Sequence, residues 1–367
     1  MTNMDTTVTV LDACGMAGVA ALLISGPGSG KSSLVRGLAK SKAIACEVVN
    51  GALREPSDFG GLPIITADGV VLEAPRWAKR LHEAGAGILL LEELTTVGPA
   101  VQAAMLTVVL EREVGDLTLP PGIQVIAACN PADLAVGGQE LPAPLANRFC
   151  HITFEPTTDE WLHGITTDWK VLPATRAVVA SAERRSAMRA AVTGFIHSRP
   201  DLRTQVPDNA DAAGGAYPTG RSWDAVTRVL AYLRSDDLAA HQTAVFGLVG
   251  EGAGMEFLTW METADLPDPD AVTADPSIVE WAGARQDRVW AVLNSVVTLA
   301  AERGTVEAWR KAWKPLGAAA EAVPDMAAAS ARSLAMFRPA TTTKIPVEVR
   351  KFAPMLKSAG LLSEDAA

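Results

Sequence analysis

Residues 20–38 read Ala-Ala-Leu-Leu-Ile-Ser-Gly-Pro-Gly-Ser-Gly-Lys-Ser-Ser-Leu-Val-Arg-Gly-Leu. An apolar run (Ala20–Ile24), a glycine loop (Ser25–Gly30) and a helical pattern opening on Lys31 form the strand, loop and helix of a phosphate-binding P-loop. Gly26, Pro27, Gly28, Ser29 and Gly30 would fold the backbone into a nest of N–H donors, to which the helix adds the positive end of its dipole. Lys31 would reach the β- and γ-phosphates, the Ser32 hydroxyl would sit on Mg²⁺, and Ser33 closes the motif. Ser25 stands six positions before the lysine, where glycine is usual. Gly26 beside it keeps the loop permissive.

A second run, Gly87-Ile88-Leu89-Leu90-Leu91-Glu92-Glu93-Leu94, is apolar up to two carboxylates. Such a run suits a strand buried on both faces of a parallel sheet, and ligands of these sheets bind outside the carboxyl ends of the strands. About 60 residues after a P-loop it reads as Walker B, with Glu92 holding Mg²⁺ through water and Glu93 polarising the attacking water. Aspartate is usual at the first position. The extra methylene of Glu92 pushes its carboxylate about 1.5 Å outward and predicts a weakened contact with an ion of strict geometry.

The rest of the first half follows the same logic. Val8–Val19 predicts a short helix and turn, and Ile44–Asn50 and Ile123–Pro131 predict buried strands. Leu141–Asn147 predicts a short helix and Cys150–Phe154 a last strand. Asp68-Gly69 and the stretch Glu111–Pro121 predict hairpins. Beyond Pro156 the β patterns fade. Helices are expected over Trp161–Ile196 with a break near Pro173, from Thr219 to Leu233, over Ala239–Met261, and after the Asp265–Asp270 linker. Trp309 and Trp313, with Arg310, Lys311 and Lys314, have the look of a nucleic-acid patch. Their i,i+4 spacing favours a core stripe with a wet basic face.

Composition narrows the function classes. The chain of 367 residues is 49% hydrophobic and 20% charged, with a formal charge of −10, so it can bury an ordinary core and has no general nucleic-acid footprint. Cys14, Cys46, Cys129 and Cys150 lie far apart without C-x-x-C spacing, which points to a reducing compartment rather than a disulfide or zinc framework. Cys150-His151 has no second pair nearby and reads as a strand position. The uncharged stretch from Ala13 to Gly30 is glycine-rich and lacks a basic leader, so it is read as neither a membrane span nor a signal. A cytoplasmic protein without a membrane partner is expected.

These pieces together resemble the AAA+ ATPases of the MoxR type, especially those associated with von Willebrand A-domain partners. The resemblance is carried by Ile88–Phe149: Leu-Leu-Leu-Glu-Glu-Leu, Val-Gln-Ala-Ala-Met-Leu, Leu-Glu-Arg-Glu-Val-Gly, Ala-Ala-Cys-Asn-Pro and Pro-Leu-Ala-Asn-Arg-Phe. It implies that Asn130 is sensor 1, that Arg148 is an arginine finger acting on a neighbour's ATP, and that Arg221 is sensor 2. The hairpins around Asp68-Gly69 and Val114–Asp116 resemble the helix-2 insert and pre-sensor-1 hairpin of that clade. The implied fold is a three-layer αβα P-loop core over residues 1–155, an α-helical lid over 156–250 and a helical C-terminal extension over 251–367. The implied function is Mg²⁺-dependent ATP hydrolysis by a homo-oligomeric, hexameric ring that remodels or matures a partner protein, a von Willebrand A-domain protein being the implied partner. Phe59, in its glycine loop, is read either as a pore residue gripping substrate or as a buried anchor. Two other classes remain open at this point: a nucleotide-gated binding module with little turnover, which Glu92 favours, and a nucleic-acid motor, which the acidic charge opposes.

Overall fold

In the computed structural model the described residues are 3–131, 134, 141–342 and 344–362. The chain begins with α1 (Asn3–Ala17) and β1 (Ala20–Ile24), followed by α2 (Lys31–Ser41) and β2 (Ala45–Asn50). A short helix α3 (Ser57–Gly60) leads into a hairpin of β3 (Leu62–Thr66) and β4 (Gly69–Glu73). Then come α4 (Arg76–Ala84), β5 (Ala86–Glu92), α5 (Pro99–Glu111), a second hairpin of β6 (Glu113–Val114) and β7 (Leu117–Thr118), and β8 (Gly122–Cys129). The core closes with α6 (Ala143–Ala146) and β9 (Phe149–Thr153). All later elements are helical: α7 (Thr158–Thr166), α8 (Ala182–Ser198), α9 (Ala210–Ala213), α10 (Gly220–Leu230), α11 (Leu238–Val249), α12 (Glu251–Ala264), α13 (Pro269–Ala274), α14 (Gln286–Arg303), α15 (Val306–Ala319), α16 (Pro324–Met336) and α17 (Ala353–Ser358).

Five strands form one parallel sheet in the order β2-β5-β8-β1-β9. Ile88–Leu91 and Ile123–Cys129 are buried throughout, as continuous apolar runs demand when helices cover both faces. The register aligns the strand ends: Asn50 lies opposite Glu92, Glu92 opposite Ala128, and Ile24 opposite Cys129. The residues that leave these strands, Ser25, Glu93 and Asn130, therefore emerge along a single carboxyl edge, where a parallel α/β sheet binds its ligand. This is the three-layer αβα P-loop fold with a helical region after it that the sequence predicts.

The two hairpins are present and interlock. Asp116 N–H donates to the Leu72 carbonyl at 2.9 Å, Leu72 N–H returns a bond to Asp116 Oδ2 at 2.9 Å, and Gly115 N–H reaches the Phe59 carbonyl. Phe59 is 1% exposed and packs on Trp77 with ring centroids 6.2 Å apart. The pore reading of Phe59 is thus corrected: one turn of helix turns the ring into the core, where it anchors the hairpins. Apolar surface is instead presented by β3 and β4, with Ile65 87% and Val70 67% exposed.

In the helical half the expected break at Pro173 is present but wider, and there is a second, unexpected break. The expected run Trp161–Ile196 consists of α7 and α8, with residues 168–181 almost entirely irregular between them. Asp168 and Trp169 are both left-handed (φ 50° and 53°), and Trp169 N–H closes α7 onto the Gly164 carbonyl, so the helix stops before Pro173 is reached. Ala239–Met261 is likewise two helices, divided at Gly250 with φ 79°.

The chain forms two compact units, one of Met1–Val178 with Thr204–Gly254 and one of Val179–Arg203 with Met255–Ala367. In the second, α8 packs along α14, with Ser186 Oγ donating to the Ser295 carbonyl at 2.6 Å. Trp309 and Trp313 form its core, edge to face at 5.6 Å, and Trp309 Nε1 donates to the Leu334 carbonyl. The core reading of that pair holds. Among the described residues no helix is long and apolar enough to cross a membrane, and the four cysteines are free. Cys14 and Cys150, far apart in sequence, are neighbours in the fold. The adjacent Cys150 thiol and burial together push the Cys14 thiol well above its usual range.

Candidate active site

The loop between β1 and α2 adopts the conformation its glycines permit. Gly28 and Gly30 have φ of 73° and 96°, a region costly for any residue with a Cβ. Ser25 is not among the positive-φ residues, so a side chain in place of the usual glycine costs nothing there. α2 starts from Gly30 without a side-chain cap, which leaves the N–H groups of its first turn free for an anion. The Ser29 hydroxyl is buried with no partner among the described residues. An uncapped helix start beside an orphaned hydroxyl fits a bound phosphate group.

Lys31 ties the strand ends together. Its Nζ donates to the Ser25 carbonyl at 2.6 Å, to the Gly26 carbonyl at 3.0 Å and to Asn130 Oδ1 at 2.9 Å. Burial lowers its pKa, while the carboxylates of Glu93 and Glu92 act in the opposite sense. Cys129, next to Asn130, is pushed up to about 11 by burial, so its thiol stays protonated and is no nucleophile. Ser32 Oγ donates to Glu92 Oε1. The long arm of Glu92 therefore reaches the Ser32 hydroxyl from the end of β5. Ser32 and Glu92 together supply two oxygen donors suited to Mg²⁺, an ion that takes few protein ligands and keeps phosphate and water for the rest.

Glu93 leaves the strand with φ 60°, in a region where a side chain other than glycine costs about 1–3 kcal/mol. A residue that sequence reasoning missed holds it there. Thr96 N–H and Thr96 Oγ1 each donate to the Glu93 carbonyl at 3.1 Å, and Thr96 Oγ1 also lies 3.2 Å from Glu93 Oε2. The spacing of three is a turn signal, but nothing in Glu-Glu-Leu-Thr-Thr distinguishes Thr95 from Thr96. Trp169 was missed as well. Its indole sits so close to the loop that a Cβ on Gly30 would come within 2.3 Å of it.

Arg148 and Arg221 are not part of this cluster; among the described residues neither is hydrogen-bonded to Lys31, Glu92, Glu93 or Asn130. They are instead near each other. Arg148 bonds the Pro144 carbonyl at the end of α6, and its pKa is lowered first by burial and then by the Arg221 charge. The seam between α6 and α10 explains the meeting. Asn147 Nδ2 donates to the Tyr217 carbonyl at 3.0 Å, and Thr219 Oγ1 to Asn147 Oδ1 at 2.7 Å. Thr219 also caps α10 reciprocally with Ser222, which fixes Arg221 in the first turn of that helix. His151 is bonded to the Ala146 carbonyl and kept neutral by burial, and no metal cluster of His, Cys, Asp and Glu occurs among the described residues.

No family model matches the chain, and no curated protein matches it. Among solved structures, it is similar to a protein from Cytophaga hutchinsonii described provisionally as an ATPase, with 15% identity over 68% of this chain and 76% of that one, at a TM-score of 0.41. It is also similar to a full-length MCM homolog from Methanopyrus kandleri, with 15% identity over 70% of this chain and 54% of that one, at a TM-score of 0.37. Both likenesses are too distant to bear on function, which rests on the geometry above.

Proposed function

We propose that this chain is a Mg²⁺-dependent ATPase of the AAA+ class, of the MoxR type implied by residues Ile88–Phe149, working in the cytoplasm as a homo-oligomeric ring that remodels or matures a partner protein. The observation that supports it best is the convergence of Lys31, bonded to Asn130, and Ser32, bonded to Glu92, at one sheet edge with Glu93 next in the chain.

In this reading Lys31 exchanges its two loop carbonyls for phosphate oxygens, and Gly28–Ser33 cradle them with backbone N–H groups. Ser32 and Glu92 would hold Mg²⁺, which would supply positive charge to offset that of the phosphate. Glu93, held by Thr96, takes the proton of the attacking water, and Asn130 orients that water. Arg148 and Arg221 present two adjacent positive charges at the α6–α10 seam. Their mutual repulsion is relieved by an anion, and the γ-phosphate of a neighbouring copy is the anion that an arginine finger meets.

The exposed apolar face of β3 and β4, rather than Phe59, is the surface offered to a polypeptide, and a von Willebrand A-domain protein is the partner that the resemblance implies. A nucleotide-gated binding module with little turnover is the alternative, favoured by glutamate at position 92, and phosphate release separates the two. Phosphate release from MgATP, measured alongside particle mass with and without nucleotide, tests the proposal. Turnover that rises with assembly is expected; a monomer that binds ATP and never releases phosphate would exclude it.

A further inference from the structure

The end of the chain reverses the sign of the rest. Residues 304–362 contain nine Lys and Arg against four Asp and Glu, in a chain of formal charge −10. α15 places Lys314 three and four positions after Lys311 and Arg310, next to both on the helix surface, while Trp309 and Trp313 of the same helix are 3% and 0% exposed in the core. The segment after α16 lies against this basic surface, because Arg310 Nε donates to the Lys344 carbonyl at 3.3 Å. Between them is a cleft of about 340 Å³ lined by Arg310, Lys311, Lys314 and Lys344, together with Ile345, Pro346 and Glu348.

Ion pairing inside the unit does not consume this charge. Lys311 pairs with Glu307 at 2.7 Å, but both side chains are more than half exposed, and such a pair contributes little. Arg310, Lys314 and Lys344 form no ion pair among the described residues. Glu348 is the single acid on the cleft, and its stem lies over Gly317, where a Cβ would meet Glu348 Cγ at 2.9 Å. Four cations facing one acid repel one another until an anion enters.

We propose that this cleft docks an acidic peptide segment of a partner protein, its carboxylates entering among Arg310, Lys314 and Lys344 and its apolar stems resting on Ile345 and Pro346. The volume lies near the small end of ligand clefts, ~300–1,000 Å³, which suits a few residues of peptide. Nucleic acid carries the same charge but fits worse. The tryptophans that would stack bases are in the core, and the net negative charge of the chain opposes a long polyanion outside the cleft. The inference uses the second unit alone and does not depend on the nucleotide site.

The test is fluorescence anisotropy of labelled octaglutamate with the full-length chain, across a range of salt. The comparison proteins are the double variants Lys314→Glu/Lys344→Glu and Lys314→Arg/Lys344→Arg. Both lysines are exposed, so the variants should melt like wild type and keep its ATP turnover. The expected result is binding that weakens ~10-fold or more with rising salt, is lost by at least ~10-fold in the charge-reversed protein, and is retained in the arginine protein. The proposal is overturned if octaglutamate fails to bind at low salt, or if charge reversal leaves its affinity unchanged. A labelled single-stranded oligonucleotide that binds the same cleft more tightly than octaglutamate overturns it in favour of nucleic acid.

Discussion

Glu92→Asp gives the proposed Walker B strand its usual residue, and if the chain hydrolyses ATP as proposed, the Ser32–Glu92 bond predicts that this slows it. The carboxylate of Glu92 accepts a bond from Ser32 Oγ across the gap between β5 and the start of α2. Aspartate is one C–C bond shorter, so its carboxylate withdraws by about 1.5 Å. A hydroxyl–carboxylate bond of about 2.7 Å then opens to roughly 4 Å, beyond hydrogen-bond range. Hydrogen bonds to charged groups contribute ~1.5–3 kcal/mol, which corresponds to about 10–100-fold in an equilibrium or rate constant. With Ser32 and Glu92 as the two Mg²⁺ donors of the proposed site, the loss should fall on metal use. Steady-state phosphate release titrated with Mg²⁺ should show the apparent metal requirement raised by about that factor, with ATP binding through Lys31 little changed. If Glu92→Asp hydrolysed ATP as fast as wild type at low Mg²⁺, or faster, the strand end would not be fitted to glutamate and the reasoning would fail.

Three further outcomes follow from the geometry. Thr96→Ala should keep ATP binding and lower kcat ~10-fold, the effect of one bond to a charged group, with Thr96→Ser restoring most of the rate; equal rates for all three proteins would show that Glu93 needs no support from Thr96. Arg148→Ala and Lys31→Ala should each be nearly inactive alone and regain rate when mixed, because an arginine finger supplied by a neighbour contributes ~10³–10⁵ in kcat; no gain in a confirmed mixed assembly would place Arg148 outside the neighbour's site. In the second unit, bonds from Arg285 and Trp260 depress the carboxyl of Asp287 from its ordinary 3.8 to about 2, and the side chain is 14% exposed. The folded value lies below the unfolded one, so this stabilisation is complete above about pH 4 and is lost as the pH falls toward 2. Asp287→Asn should cost up to ~2 kcal/mol in urea melts near neutral pH, shrinking to roughly 0.4 kcal/mol at pH 2, and a pH-independent difference would contradict the assignment.

The sequence is legible where one local pattern demands one structure. Gly-Pro-Gly-Ser-Gly-Lys-Ser after an apolar run leaves the chain few alternatives, and the apolar runs ending at Glu92 and Cys129 are buried on both faces as their composition requires. Asp68-Gly69 set the first hairpin because the turn chemistry lies within a few residues. The features that escaped depend on groups distant in sequence. Trp169 is fixed by Gly30, Gly37 and Gly164, and its left-handed backbone ends α7 several residues earlier than Pro173 suggests. Phe59 follows a polar stretch, yet it is buried against Trp77, eighteen positions on. Cys14 and Cys150 meet only in the fold, where α1 lies on the sheet at β1 and β8 and β9 pairs with β1. The proximity of Arg148 and Arg221 comes from the Asn147–Tyr217–Thr219 bonds across the α6–α10 seam, which no spacing rule encodes.

The central claim is that Lys31, Ser32, Glu92, Glu93 and Asn130 form one hydrolytic site. Its most direct test is Glu93→Gln, which keeps the shape of the side chain and removes the charge that takes up the proton. ATP binding, measured by equilibrium filtration, should stay within a few-fold of wild type, because the phosphate cradle and the Lys31–Asn130 bond are untouched. Phosphate release should fall by ~10²–10⁴. A Glu93→Gln protein that hydrolysed ATP near the wild-type rate would contradict the account.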